Sequence, residues 1–291
     1  MPKSTGAGRN DTVLASTRLG LPAPPAYHQP RPRLSRMLDA RRQITLLVAP
    51  AGFGKTTALS GWLSGEPPQR YPVWLALEED DLEPLALVSH LVAALRCNDA
   101  GRAEAAAAAR AQPATVDPRA VMVRLLNDLG DTADSWTLVL EDLHRAGSPS
   151  TSRLLGYALD HLPANVDVIM TSRTEPDLPL GRWRADGRLT EIDATDLRFS
   201  PPEAEQFLTR TMAAPIDPDQ ARQLEVRIGG WIAGLQMAAL WLQRGDNAAR
   251  SADLPEPGGR RGELGTPPGG PRQGAAPRRA GEQQQKKQNA R

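Results

Sequence analysis

The sequence predicts an α/β domain with a parallel sheet flanked by helices, followed by the start of a helical domain and a disordered tail. Three observations carry that reading. Apolar runs at 44–49, 73–77, 137–140 and 166–170 are continuous rather than alternating, as expected of strands covered on both faces. Helical patterns at 56–63, 84–95, 118–129 and 150–162 lie between or after these runs, and proline stands near the start of three, where a missing N–H costs nothing. After residue 199 the strands stop and amphipathic helical segments take over.

Taken in order, residues 1–29 are rich in proline and small polar residues, so they read as an extended N-terminal arm. The α/β domain then covers 30–199. Residues 100–115 (AGRAEAAAAARAQPAT) read as a helix with a solvated face. "SPPEAEQFLTRTM" opens the helical domain, with Ser200 as N-cap and Glu203 and Glu205 near the positive helix end. "GGWIAGLQMAALWLQ" continues it, with Trp231, Leu235, Ala238 and Leu242 on one helical face. From 244 to 291 there is no periodicity and no aromatic residue, so the segment cannot offset its ordering entropy and reads as a disordered basic tail.

Composition sets outer bounds. The chain has 291 residues, 35 Lys and Arg against 34 Asp and Glu, and one cysteine, Cys97. The near-balanced charge argues against a general polyanion binder, and a single cysteine excludes an intramolecular disulfide. No apolar stretch reaches the roughly 18 residues of a membrane span, and the N-terminus has no signal-peptide core, so the expected setting is soluble and cytoplasmic, with no membrane partner.

The chemistry concentrates in three places. "APAGFGKTT" follows the first strand and precedes a helix, and it matches the phosphate-loop pattern G-x-x-x-x-G-K-[ST], except that Ala49 stands where the first glycine is expected. Pro50, Ala51, Gly52, Phe53 and Gly54 form the loop, whose amides and helix N-terminus suit an anion. Lys55 supplies a point charge, Thr56 a hydroxyl for Mg²⁺, and Thr57 a donor to an α-phosphate oxygen. "WTLVLEDLHRAG" then ends a strand in Glu141 and Asp142, one acid to hold Mg²⁺ and the other to polarise an attacking water. "MTSRTEPDLPLGRW" places Arg173 just past another strand end, either reaching a terminal phosphate or facing solvent. His144 reads as a hydrogen-bonded structural histidine, with a catalytic role as the alternative. These residues read as a P-loop NTPase that binds the phosphates of a nucleotide together with Mg²⁺.

In this order the three elements resemble the ATPase module of the STAND signal-transduction NTPases, in particular the MalT-like, large ATP-binding LuxR-type transcription regulators. "TRLGLPAPPAYHQPRPRLSRML", "LVLEDLHRAGSP", "DLRFSPPEAEQFL" and "GGWIAGLQMAAL" extend the likeness over residues 14–243. The resemblance implies a strand order of 5-1-4-3-2, an adenine nucleotide at the hinge with the helical domain, and a switch from an ADP-bound resting form to a self-associating ATP-bound form. It implies Lys55, Thr56 and Thr57 as phosphate and metal ligands, Glu141 and Asp142 as the acidic pair, Arg173 as sensor, and Arg31 and Arg33 beside the adenine.

Two departures qualify this. Glu141 replaces the family's usual first aspartate, which puts hydrolysis in more doubt than binding. The likeness also stops near 243, before the family's inducer-sensor repeats and helix-turn-helix, so a truncated or frameshifted gene is expected, as is no direct promoter binding. Two other classes remain open: a standalone P-loop ATPase working by turnover, and a nucleic-acid binder acting through tail residues such as Arg260, Arg261, Arg278, Arg279, Lys286 and Lys287.

Overall fold

The computed structural model describes residues 18–40, 42–65, 71–98, 117–211 and 218–243. The predicted helix at 100–115, the tail at 244–291 and most of the N-terminal arm lie outside these residues. Five parallel strands form one sheet: β1 (Ile44–Val48), β2 (Tyr71–Ala76), β3 (Trp136–Glu141), β4 (Val166–Ser172) and β5 (Leu189–Ile192), in the order β2-β3-β4-β1-β5. This is the order the family resemblance implies.

The four apolar runs become β1 to β4, with Ile44, Leu46, Leu75 and Met170 fully buried. Three strands, β2, β3 and β4, extend further than their apolar runs. β2 begins at Tyr71 and includes Pro72, which a strand tolerates at the sheet edge where its missing N–H breaks no ladder. β5 has no counterpart among the predicted strands; its four residues are too few to show a period, and pairing with β1 is what makes them a strand.

Helices α1 (Pro32–Asp39) and α2 (Lys55–Leu63) cover one face of the sheet, where Leu34, Leu38, Phe53 and Leu59 pack with Leu47, Trp74, Val139 and Ile169. Helices α3 (Pro84–Asn98), α4 (Pro118–Gly130), α5 (Pro149–Asp160) and α6 (Leu180–Ala185) bury the opposite face, through Leu87, Leu125, Leu155 and Trp183 against Leu46, Leu138 and Met170. Proline at the first turn of α4 and α5 is joined by side-chain caps: Asp117 accepts from the Arg119 amide and Ser148 from that of Thr151.

A short helix α7 (Ala194–Leu197) leads to α8 (Pro201–Thr211), α9 (Pro218–Ile228) and α10 (Ile232–Gln243). These last three have their own core, in which Phe199, Phe207 and Leu208 meet Ile228, Leu235 and Ala239.

The arm behaves differently from a free extension in its described part. Leu19 enters the main core, and Arg18 donates through Nε to the Ala76 carbonyl at 2.9 Å and through Nη2 to Asp81. Asp81 is fully buried and also accepts from the Glu78 amide at 2.8 Å and from His90 Nδ1 at 2.6 Å. Burial alone would raise its carboxyl pKa, but the hydrogen bonds from His90 and Glu78 and the charge of Arg18 outweigh it and hold the group below its ordinary value. The contribution to stability is therefore complete above the unfolded carboxylate range near pH 4 and fades as pH falls through the lower folded value. Asp81→Ala leaves Arg18 and His90 facing a buried gap and is expected to cost about 3–5 kcal/mol in urea unfolding at pH 7, with a smaller difference from wild type near pH 3.

Candidate functional site

The phosphate loop runs from the end of β1 to the start of α2, and two of its glycines have left-handed backbone: Gly52 at φ 82° and Gly54 at φ 74°. Side chains pay for that conformation in steric strain, which explains both residue types. Ala49 has no positive φ; its methyl is buried with the α2 face of the sheet, and its amide donates to the Ser172 carbonyl at 3.2 Å. The pattern's first glycine is therefore not needed here.

Lys55 opens α2 and folds back over the loop, with Nζ donating to the carbonyls of Ala49 at 2.6 Å and Pro50 at 3.1 Å. Burial lowers its pKa, while the charges of Asp142 and Glu141 oppose that shift and Arg173 adds to it. Thr56 donates its hydroxyl to the Glu141 carboxylate, which also hydrogen-bonds the Trp74 side chain. Burial raises the Glu141 pKa against both of these bonds. Asp142 follows at φ 58°, ψ 44°, the one non-glycine residue with positive φ among the described residues, and its amide donates to Thr171 Oγ1 at 3.0 Å.

His144 Nδ1 is buried, 3.8 Å from Asp142 Oδ1, and has no hydrogen-bond partner. Burial lowers its pKa, with the charge of Asp142 acting the other way. The expected hydrogen-bonded structural role for this residue thus finds only a long ion-pair contact. Arg173 lies at the same strand edge, exposed, and its charge bears on both Lys55 and His144.

The structure thus brings together Lys55, Thr56, Glu141, Asp142 and Arg173, drawn from the loop and the C-terminal ends of β3 and β4, the edge at which open α/β sheets bind ligands. Pro50 and Ala51 sit exposed on the loop, Phe53 is buried beneath it, and Thr57 faces a neighbouring pocket. Arg33 is placed differently: it turns to the Asp196 carbonyl and lies 3.4 Å from the Asp196 carboxylate, outside the pocket lining.

That pocket encloses about 170 Å³ between the loop, residues 27–31 and the helical segment. Arg31, rather than Arg33, forms part of its wall. The Arg31 guanidinium lies 5.0 Å from the Phe199 ring centre and donates to the Arg198 carbonyl at 2.7 Å, and burial pulls its pKa down to about 10 despite Glu203 at 3.7 Å. Gln29 donates to Gln206 Oε1 at 2.7 Å; its own Oε1, like Nε and Nη1 of Arg31, is buried without a hydrogen-bond partner. Tyr27 accepts from Gln236 Nε2 at 2.9 Å and closes the far side. Of these wall residues the sequence reading reached only Arg31, because the segment carrying the rest has no periodicity and acquires meaning only when folded against α8 and α10.

The start of α10 lies directly on the loop. The Ala233 amide donates to the Gly52 carbonyl at 3.1 Å. A Cβ on Gly52 would meet the Ala233 Cβ at 2.8 Å, and one on Gly54 would meet Ile232 Cδ1 at 2.7 Å.

Fold and site together define a P-loop NTPase module. The chain is homologous to a segment shared by PknK kinases and MalT regulators. It is 31% identical over 223 residues to the serine/threonine-protein kinase PknK of Mycobacterium tuberculosis, covering 76% of this chain and 20% of that protein. It is 28% identical over 213 residues to the HTH-type transcriptional regulator MalT of Serratia proteamaculans, covering 73% and 23%, and 27% identical over 240 residues to MalT of Klebsiella pneumoniae, covering 82% and 26%. The chain thus spans about a fifth to a quarter of these relatives. No protein-family model matches it. Among solved structures, a STAND protein with a tetratricopeptide repeat sensor from Pyrococcus horikoshii aligns at TM-score 0.47 and 13% identity, covering 72% of this chain and 30% of that one. No helix among the described residues is long and apolar enough to cross a membrane.

The close approach at Gly52 yields a prediction. Gly52→Ala adds left-handed strain and a contact that neither backbone relieves, so α10 is expected to lift off the loop at a cost of about 1–3 kcal/mol. Limited proteolysis should then cut the 229–243 region faster than in wild type, while far-UV circular dichroism changes little.

Proposed function

We propose that this chain is an ATP/ADP-binding switch module of the kind used by LuxR- and MalT-type transcriptional regulators. The observation that carries the reading is the hydrogen bond from Ala233 to Gly52: the same loop that would cradle the phosphates also seats the helical segment, so nucleotide and helix position share one element. The pocket beside the loop would take the adenosine moiety, and its buried unpaired groups on Gln29 and Arg31 suit the polar edge of a base.

The residues present fit Mg²⁺. Among the described residues no group of three or more His, Cys, Asp or Glu could hold a metal alone, but Mg²⁺ takes one or two protein ligands and completes its shell with waters and phosphate oxygens. Thr56 and the Glu141–Asp142 pair would hold it, and when bound it would neutralise charge on the β- and γ-phosphates. Lys55 would exchange its two loop carbonyls for phosphate oxygens. Arg173 would meet the terminal phosphate and distinguish ATP from ADP. Glu141, one methylene longer than aspartate, already meets the Thr56 hydroxyl directly, which favours binding over fast turnover.

A swing from 1:99 to 99:1 needs about 5.5 kcal/mol of differential affinity, and one charge-assisted contact from Arg173 supplies roughly 1.5–3 kcal/mol. The remainder would come from movement of α10 and from self-association in the ATP-bound form. The module is not expected to bind a promoter.

Lys55→Ala should weaken ATP and ADP binding at least tenfold in isothermal titration calorimetry, with the fold intact by circular dichroism. Equal binding by both proteins would remove the phosphate-site assignment. Turnover of several per second by the isolated wild type would instead support an ATPase that works by hydrolysis.

A further inference from the structure

We infer that Thr171 is a positioning residue, whose buried hydroxyl fixes Asp142 in the conformation that directs its carboxylate to the metal and terminal phosphate. The inference rests on the nucleotide-binding reading above. Parallel pairing of β3 with β4 runs in register from Trp136 opposite Val166 to Leu140 opposite Met170 and then stops. One step on, Glu141 keeps its ladder bond to β2, its carbonyl accepting from the Leu77 amide at 2.9 Å. Asp142 then leaves the sheet plane with φ 58°, ψ 44°. Its amide would lose a partner at that turn, and Thr171 Oγ1, 3.0 Å away, supplies one. The acceptor that holds the turn is a side chain rather than a strand carbonyl.

Thr171 is fully buried, so its hydroxyl does not face ligand or water directly. It lies two residues before Arg173, which follows the end of the strand, so Asp142 and the arginine are referred to one short stretch of chain. Left-handed aspartate is a strained conformation that persists only where neighbours hold it. Without the Thr171 hydroxyl, Asp142 would relax toward ordinary strand backbone and carry its carboxylate away from Lys55, whose ammonium now feels that charge. Glu141, held separately by Thr56, would stay in place.

The consequence is selective. Thr171→Val keeps shape and removes the acceptor, so binding of ADP without metal should match wild type, whereas the gain in ATP affinity on adding Mg²⁺ should fall by about tenfold. Thr171→Ser restores the hydroxyl and should restore that gain, which a packing role for the threonine methyl would not. Calorimetric titration of ATP and ADP, each with Mg²⁺ and with EDTA, reads all three proteins. If Thr171→Val does not fold, Thr171→Ala against Thr171→Ser makes the same comparison. A Mg²⁺ gain in Thr171→Val equal to wild type, or lost equally in Thr171→Ser, overturns the inference while leaving the nucleotide-binding reading intact. Absence of nucleotide binding by wild type overturns both.

Discussion

The close approach of two backbones, the phosphate loop and the first turn of α10, is the constraint on which the arrangement depends. It exists because Gly52 and Gly54 carry no side chains on the side facing Ala233 and Ile232. In the usual account of such loops, glycines are required by the phosphate. Here they are required a second time, by the helical segment that lies over them. The pocket beside the loop follows from that approach: residues 27–31 and Phe207 complete walls whose other sides are the loop and α10.

A second layer of order comes from how the charged groups are held. Three charged groups at the sheet edge are tied to something outside their own element: Lys55 to carbonyls of the loop, Glu141 to α2, Asp142 to β4. None of these ties is a bidentate ion pair between side chains. The bonds of Lys55 and Glu141 are ones a nucleotide and its metal would exchange, whereas the Asp142 amide stays on the buried Thr171 hydroxyl, which suits a site that must take up a polyanion without unfolding around it. The Asp81 network differs in kind. Its three donors converge on one buried carboxylate, and it fixes Arg18 to the segment after β2 rather than waiting for a ligand.

Much of this was legible in the sequence where backbone geometry dictates residue type. Gly52 and Gly54 announce left-handed backbone, Lys55 and Thr56 follow at the spacing a helix start imposes, and an apolar run ending in Glu141 and Asp142 can hardly be anything but a strand delivering acids to a sheet edge. Ala49 was harder to judge, because whether a loop needs glycine depends on a φ angle that only the folded chain reveals. β5 was missed because four residues carry no period. The pocket wall was legible at Gly52, Gly54, Thr57 and Arg31 but not opposite the loop: Tyr27 and Gln29 come from a proline-rich segment without pattern, and their neighbours Phe207 and Gln236 are roughly two hundred residues away in the chain. Arg33 lies outside the pocket lining for a related reason. Two arginines separated by one residue at the start of α1 look equivalent in sequence, but one is buried over Phe199 beside Glu203 and the other pairs with the Asp196 carboxylate.

Trp231, just ahead of α10, shows what the loop contact is worth. Its indole Nε1 is buried with no hydrogen-bond partner, and a Cβ on Gly52 would lie 3.0 Å from it. A stranded donor of this kind costs about 1–3 kcal/mol, while the single amide bond from Ala233 returns roughly 0.5–1.5. The polar part of the contact thus does not favour it by itself. The joint between loop and helix is a latch rather than a weld, held shut mainly by apolar packing and open to being tipped by whatever gives that one indole a partner.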